Sequence, residues 1–581
     1  MDYQLSSTSH LTFKQSARDL LSYLGKDKIK MVWALAIVIL NSIINIATPY
    51  LIGLATDTYI VQKDLVGLAT LIMSLILLYL IGLGTSYLQM KLMGVVSQNM
   101  LYNLRTSLFN KLQSLPLSFF QQNKIGDLTA RINSDTDKLN QFFSESIMRF
   151  LGNFFFILGI GIFVLIFQWQ LGLVMLLSTL FIIGLSTLFK NWVQEHNKGS
   201  AAATGALSGQ IQESLSNFKV IVAFNKRQYF IDKLNEFNQN VFTTSNTAGF
   251  ANSIYKPIYD SAGIIAQALV LVYGLILINN QTITIGVLIA FLNYAQKFYD
   301  PLRILGTIIG NIQVALASWQ RVNAILILES NLKVLPEIKS QSSNNTILQV
   351  ERVSFGYTEE QKVLENVSFA LVRGKTYALV GPTGGGKSTL ASLMTRLYDP
   401  TEGVIYLKGR DIRSFTPDEI AEIIGVILQE PLLFSGTLGD NIRYGNKKLR
   451  HVTNQALQDL LAAEGLQLFI NRFSEGLDAT IQTENISLGQ RQLISFIRII
   501  LRKPELLILD EATANVDTVT EQLLNQLIEK LPSSTTKVII AHRLNTIKAA
   551  DTIMFINGGH VKEAMDFEHA IHLIDHAKRK S

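Results

Sequence analysis

The stretch Gly381-Pro382-Thr383-Gly384-Gly385-Gly386-Lys387-Ser388 carries the most legible chemistry in this chain. It fits G-x-x-x-x-G-K-[ST], in which glycines let backbone amides turn inward and approach phosphate oxygens. Lys387 can reach the β- and γ-phosphates and Ser388 can ligate Mg²⁺, with Thr389 completing the nucleotide-binding candidates. A second feature, Leu506-Leu507-Ile508-Leu509-Asp510-Glu511, is an apolar run ending in two carboxylates. In isolation it would read as a buried strand capped by surface acids. Beside the phosphate loop it reads as a Walker B motif, with Asp510 holding Mg²⁺ through water and Glu511 as the base that activates a water. A third run, Val538 to Ala541, ends at His542. A lone histidine after a strand is ordinarily structural, but this one can aim at the same phosphate.

These residues need an α/β scaffold. The loop follows the apolar strand Thr376 to Val380 and opens a helix, the context a Walker A loop requires. From Leu348 onward, short β-branched runs alternate with helical patterns. Ahead of them, between Glu329 and Thr346, the composition turns polar, with Ser340-Gln341-Ser342-Ser343-Asn344-Asn345 at its core, and reads as a linker.

The rest of the chain is of another kind. Over 581 residues 48% are hydrophobic and only 17% charged, and mean hydropathy is positive, which excludes a purely soluble enzyme. Met31 to Thr56 and Leu65 to Met90 contain no charge, and each is long enough for one crossing. Phe150 to Phe189 is charge-free with Gln168-Trp169-Gln170 in the middle, and Ser261 to Gln296 is charge-free with Asn279-Asn280-Gln281 in the middle. Each reads as two helices and a turn, and the second pair must continue past Asp260 and Lys297. That makes six spans. Basic residues concentrate in the segments after spans two and four (Arg105, Lys111, Lys124, Arg131, Lys138; Lys198, Lys219, Lys226, Arg227, Lys233). The positive-inside rule therefore places both segments, both termini and the α/β domain in the cytoplasm of a multi-pass protein of the inner or plasma membrane. Lys14, Arg18, Lys26, Lys28 and Lys30 precede the first apolar run, which is too long and lacks the small-residue pattern for a cleaved signal peptide. The net charge of +6 is explained by these loops and calls for no nucleic acid. There is no cysteine, hence no disulfide and no thiolate chemistry. Val96 to Leu115 and Ala201 to Phe237 have helical periodicity and read as extensions of the spans. Near their tips, Pro116 to Phe120 and Glu213 to Phe218 are either capped turns or docking knobs for another domain.

Taken together, the chain resembles an ABC transporter half-subunit of the exporter type, and is similar to bacterial heterodimeric multidrug exporters. The specific element is Ile486-Ser487-Leu488-Gly489-Gln490-Arg491-Gln492, similar to the family signature and lying shortly before Walker B. Tyr294, Phe298, Pro301, Leu302, Ser318, Arg321 and Val322 in the sixth span also fall at family spacing. The resemblance implies an all-α six-helix transmembrane domain followed by an α/β P-loop ATPase domain with a helical subdomain. The expected boundaries are an amphipathic segment at 1–30, the transmembrane domain at 31–328, a linker at 329–347 and the nucleotide-binding domain at 348–581. It further implies ATP and Mg²⁺, with Tyr357 of Phe355-Gly356-Tyr357 stacking on adenine and Gln429 sensing the metal and the γ-phosphate. Asp517 would lie at a dimer seam and His542 on the γ-phosphate. Ser487, Leu488, Gly489 and Gln490 would act on the nucleotide of a partner subunit. The tips near Phe119 and Ser216 resemble coupling helices.

Three departures matter. Leu488 stands where the usual signature has glycine, with Ile486 in place of leucine. The stretch Thr480 to Ser487 is short and lacks glycines, and Ala564 replaces a common glycine. Lys387, Gln429, Asp510, Glu511 and His542 are all intact. Heterodimeric exporters distribute defects in this way, so the expected partner is a second half-transporter, with this chain as the half that keeps its catalytic glutamate. A homodimer that tolerates Leu488 and an ATP-gated channel are the alternatives. The expected cargo is an amphipathic small molecule or lipid. Asn41, Asn45, Lys91, Lys256, Asp260, Lys297, Asp300 and Arg303 lie within or near the spans. Intramembrane charges are functional candidates, although those named lie toward the cytoplasmic ends, where snorkelling or helix contacts also suit them.

Overall fold

The computed structural model describes residues 3–5, 13–23, 25–336, 345–358, 361–470, 473, 475–481, 486–510, 518–541 and 547–578. Glu511, Asp517, His542, Ser340 to Asn344 of the linker and residues 482–485 of the shortened stretch lie outside them. The chain divides into two compact units. One is Gln4–Ser114 with Asn123–Leu328, and the other joins Met1–Tyr3 and Leu115–Gln122 to Glu329–Ser581.

The first unit is helical. Among the described residues six stretches are long and apolar enough to cross a membrane: Lys28–Ile60, Leu65–Gln113, Ile125–Phe167, Trp169–Ser216, Arg227–Asn279 and Ile285–Leu326. Lipid offers no partner for backbone amides, so apolar segments close their hydrogen bonds within the helix. The charge-free runs mark only part of each helix. The second, fourth and fifth extend well past them, as the polar periodicity of 96–115 and 201–237 indicates. The expected hairpin at Gln168 is tight: one helix ends at Phe167 and the next begins at Trp169. The other turn passes through Asn280 and Gln281, and the Thr284 side chain caps the sixth span by accepting from the Val287 amide. The second tip lies within the expected Glu213 to Phe218. The fourth span runs unbroken to Ser216, and a separate short helix, Phe218–Ala223, begins only after Asn217.

Polar side chains tie the spans where they leave the apolar zone. Asp127 accepts from Arg131 at 2.8 Å and from Arg321 at 2.7 Å, and Arg321 also pairs with Asp135 at 2.8 Å. Arg131 and Asp135 are buried, so each depends on these partners for its charge. Ser318 donates to Asp135 and Trp319 is fully buried beside them. Residues singled out in the sixth span thus form a brace to the third.

The second unit is built on β-strands. These are β1 (Thr346–Phe355), β2 (Leu364–Val372), β3 (Thr376–Val380), β4 (Glu402–Leu407), β5 (Arg410–Asp411), β6 (Ile424–Ile427), β7 (Gly436–Thr437), β8 (Thr480–Ile481), β9 (Leu506–Asp510), β10 (Thr536–Ile540), β11 (Thr552–Asn557) and β12 (His560–Ala564). The first strand starts at Thr346, two residues before the expected boundary at 348. A six-stranded sheet has the order β12-β11-β3-β10-β9-β6, parallel except for β12 at its edge. A four-stranded antiparallel sheet, β2-β1-β4-β5, packs on it through Leu379, Leu390, Leu393, Ile405, Ile508 and Val538. A helical subdomain packs around a second core, with Leu457, Leu461, Leu493, Ile494, Phe496 and Ile497, that also takes in Ile427, Leu507 and Leu509 of the sheet.

Candidate nucleotide site

Strand register assembles the candidate site. In the parallel sheet Leu509 pairs with Ile427, Asp510 with Ile540, and Ile540 with Leu379. Four strands therefore end in one row, and a segment singled out for its chemistry continues from each end. Gln429 comes after β6, Asp510 closes β9, Ala541 comes after β10, and the glycine-rich loop leaves β3. With neighbouring strands ~4.8 Å apart, these ends span roughly 14 Å, the scale of a nucleoside triphosphate. Ligands of open parallel sheets bind at this carboxyl edge.

The loop is held in a shape that suits phosphate. Gly381 has φ +149° and Gly386 φ +107°, backbone conformations that favour glycine. A Cβ on Gly381 would collide with the Ile556 carbonyl of β11, and one on Gly386 would come within 2.8 Å of Leu364. The helix Lys387–Met394 begins directly after, so its first amides face the loop. Lys387 is buried, and its Nζ donates to the Gly381 and Pro382 carbonyls at 3.0 and 2.9 Å. This places the ammonium inside the loop, on the side where phosphate oxygens would replace those carbonyls. Ser388 and Gln429 are exposed and Asp510 is half-buried. A hydroxyl, an amide and a carboxylate are the oxygen donors a hard divalent cation prefers, so the residues present fit Mg²⁺ as well as ATP.

Tyr357 comes two residues after β1 and is 47% exposed. Its ring meets Phe355 and Tyr398 edge-on at 5.1 and 5.3 Å, and its hydroxyl is 3.1 Å from Thr389 Oγ1. The tyrosine is thereby fixed to the first turn of the phosphate-loop helix while a planar ligand can still reach it. Tyr398 is an addition to the candidates read from sequence. Its hydroxyl donates to Gln121 of the short helix Leu117–Gln122, which belongs to this unit. Burial, with Tyr357 alongside, raises the Tyr398 phenol above its ordinary pKa and the Gln121 bond only partly offsets this, so it remains a donor. Burial also raises the pKa of neighbouring Asp399, against the opposing pull of Arg396. No local motif announces Tyr398, since its role depends on a contact with residue 121.

The signature residues sit at a helix start. Ser487 caps Leu488–Ile500: its Oγ accepts from the Gln490 amide at 3.2 Å, and Gln490 Oε1 accepts from the Ser487 amide at 3.0 Å. This is a reciprocal capping box, readable from the S-x-x-Q spacing. It engages the Gln490 side chain in the cap of its own helix. Leu488 occupies the first helical position, half-buried, and a Cβ on Gly489 would lie 3.1 Å from the Thr520 side chain.

Comparison with known proteins agrees with this architecture. The family model of the ABC transporter transmembrane region matches residues 31–302, and the ABC transporter family model matches 364–514. The chain is 31% identical to the uncharacterized ABC transporter ATP-binding protein YfiC of Bacillus subtilis, over 95% of this chain and 91% of that protein. It is 29% identical to an ATP-dependent lipid A-core flippase of Desulfotalea psychrophila, over 97% and 98%. It is 31% identical to a fatty acid ABC transporter ATP-binding/permease protein of Mycobacterium tuberculosis, over 84% and 76%. Six apolar helices and an ATPase sheet in one chain, matched along almost their whole length, place this multi-pass membrane protein in the ABC transporter family as a half-subunit of the exporter type, an ATP hydrolase coupled to transport.

Proposed function

We propose that the chain moves an amphipathic or lipid-like substrate across the inner or plasma membrane by alternating access, with both termini and the ATPase unit in the cytoplasm. The relatives that act on lipid A-core and fatty acid favour that cargo class. The observation that carries the reading is the shared strand edge, which brings the Gly381–Ser388 loop, Asp510 and Gln429 together in a chain that also has six candidate spans. Tyr357 stacks on the adenine. The loop amides, Lys387 and Thr389 hold the phosphates. Ser388, Gln429 and Asp510 would hold Mg²⁺, which when bound neutralises phosphate charge. Glu511 takes the proton of the attacking water and His542 contacts the γ-phosphate, with Asp517 at the seam.

Each ATP is shared with a second half-transporter, whose signature, equivalent to Ser487–Gly489 here, completes the site. Because ATP binds the closed pair better than the open pair, binding shifts the equilibrium toward closure. An apolar groove of about 440 Å³ beside β6, walled by Val334, Leu397, Ile420 and Leu428, suits a tip helix from that second subunit. Phe218, Val220 and Phe224 of the present tip are more than half exposed and offer the matching surface. Leu488 and the short stretch before it favour a heterodimer, in which this chain supplies the catalytic glutamate and lends an altered signature.

The test is a tagged chain isolated from its host membrane in mild detergent. A second chain of similar size at equal ratio, lacking the glutamate after its own Walker B aspartate, supports the heterodimer. A self-dimer with full turnover refutes it. In either assembly Glu511→Gln should bind ATP while turnover falls about a hundredfold or more, and substantial residual turnover removes Glu511 from the role of base.

A further inference from the structure

The unit that carries the nucleotide site takes in two pieces of chain far from that site in sequence, Tyr3 and the short helix Leu117–Gln122. Tyr3 is 2% exposed and Phe119 is fully buried, and their rings meet edge-on at 6.4 Å. The Tyr3 amide donates to Gln122 Oε1 at 2.6 Å. The Tyr3 hydroxyl makes two further bonds, donating to the Glu329 carbonyl at 3.0 Å and accepting from the Asn331 amide at 2.8 Å. Burial raises this phenol above its ordinary pKa and the Asn331 bond only partly offsets it, so the donated proton is retained. A buried tyrosine needs one partner for its hydroxyl. This one uses its hydroxyl on the segment after the sixth span and its amide and ring on the short helix.

The segment that begins at Glu329 is fastened twice more. Arg396 is buried and donates to the Lys333 carbonyl at 2.9 Å, and the Leu335 amide donates to the Arg413 carbonyl at 2.9 Å. Arg396 and Tyr398 lie close together just after the phosphate-loop helix Lys387–Met394, and Tyr398 donates to Gln121. The contacts therefore close a ring. It runs from Tyr398 to the short helix, through Tyr3 to the linker, and through Arg396 back to the segment of Tyr398. Every member belongs to this one unit. The chain leaves the ring toward two spans: the second span's helix ends at Gln113, shortly before Leu117, and the sixth ends at Leu326, shortly before Glu329. Arg396 also bonds Asp399 and Phe415, and Tyr398 packs on Tyr357, so both serve the surroundings of the nucleotide site as well. Tyr3 lies outside that site, which makes it the link through which the ring can be tested.

We propose that Tyr3 is a positioning residue for coupling: it joins the short helix to the linker, so that a movement of the phosphate-loop helix on ATP binding reaches the second and sixth spans together. The proposal rests on the alternating-access reading above and deepens it by naming the connection that transmits the nucleotide's state. Contiguous hydrogen-bonded contacts of this kind can carry coupling between distant sites.

The test exploits a chain without cysteine. Asn41→Cys in the first span places a thiol on the wall of a cavity among the spans. The full chain, in the assembly it forms in its own membrane, is moved to nanodiscs. Maleimide labelling of this chain is followed with and without adenosine 5′-(β,γ-imido)triphosphate. In the Asn41→Cys parent the analogue should change the labelling rate about fivefold or more. Adding Tyr3→Phe keeps the ring on Phe119 but removes both linker bonds, and the change should shrink below about twofold. Affinity for a fluorescent ATP analogue and the KM for ATP should stay at the parent's values, which a merely structural lesion would not leave in place. Tyr3→Phe and Tyr398→Phe together should lose little more than either alone, because a ring is open once cut in one place. A response in Tyr3→Phe equal to the parent's, a loss of ATP affinity that matches the loss of response, or losses that add in the double variant overturns the assignment and leaves alternating access standing. An unchanged labelling rate in the parent itself sinks alternating access, and the role of Tyr3 with it.

Discussion

At the scale of single residues, geometry decides more than identity. Gly381 matters because its φ is positive and the Ile556 carbonyl occupies the space a Cβ needs. Gly381→Ala is expected to cost about 1–3 kcal/mol and to abolish binding of a fluorescent ATP analogue, whereas Gly384→Ala, strained by its φ of +79° but with open space at its Cβ, is expected to bind closer to the parent than Gly381→Ala does. Equal behaviour of the two variants would mean that the loop relaxes freely. Charge is equally local. Burial pushes Glu505 upward, but its bonds to Lys408 and Arg373 win and hold its pKa below the ordinary value. A depressed carboxylate stabilises the fold above its unfolded pKa, about 4.3, and that contribution disappears as pH falls through the lower folded value. The melting temperature of Glu505→Gln should therefore lie below the parent's at pH 7 and converge with it toward about pH 3.

At the scale of elements, the helix start at Ser487 and the helix Leu117–Gln122 are the informative pieces. Ser487→Ala removes one half of the capping box and should cost the ATPase unit about 1 kcal/mol, measured by melting. Its ATPase activity should fall much further if Ser487 also meets a partner's nucleotide, and a loss proportionate to the stability change alone would confine Ser487 to capping. Tyr398→Phe keeps the ring contact with Tyr357 but removes the donor to Gln121. ATP affinity should hold within about twofold, while stimulation of turnover by an amphiphile should drop severalfold. An unchanged stimulation would make this hydrogen bond a packing detail. These elements also mark how far the sequence could be read. The strands before Gly381 and Asp510 are legible because an apolar run, a glycine-rich loop and a helix are contiguous in the chain. The Tyr398–Gln121 bond and the Arg321 brace join residues far apart in sequence, and no periodicity records them. The break at Asn217 falls inside Glu213 to Phe218, where the sequence offers a capped turn, but the spacing on both sides is helical and does not say which residue breaks it.

At the scale of the whole chain, each unit closes its own core, and this makes their lesions separable. In the membrane unit the first and sixth spans touch backbone to backbone: a Cβ on Gly286 would strike the Gly53 carbonyl and the Asp57 carboxylate. Asp57 accepts from the Gly286 amide at 2.8 Å and from the Thr284 hydroxyl, so one carboxylate fastens the end of the first span onto the start of the sixth. Small residues of this kind let helices approach closely in lipid, where packing and hydrogen bonds replace the hydrophobic drive. Gly286→Val must force the two helices apart and break the Asp57 bonds together. Overpacking of this sort costs about 1–3 kcal/mol, more where a buried hydrogen bond goes with it. The ATPase unit draws its stability from separate clusters around Leu390 and Ile508 and around Leu493 and Phe496. The variant should therefore lose thermal stability and amphiphile-stimulated turnover in detergent, while its affinity for a fluorescent ATP analogue stays within about twofold of the parent. If nucleotide affinity falls in step with membrane-unit stability, the two units fold as one cooperative body and the separation drawn from their cores is wrong.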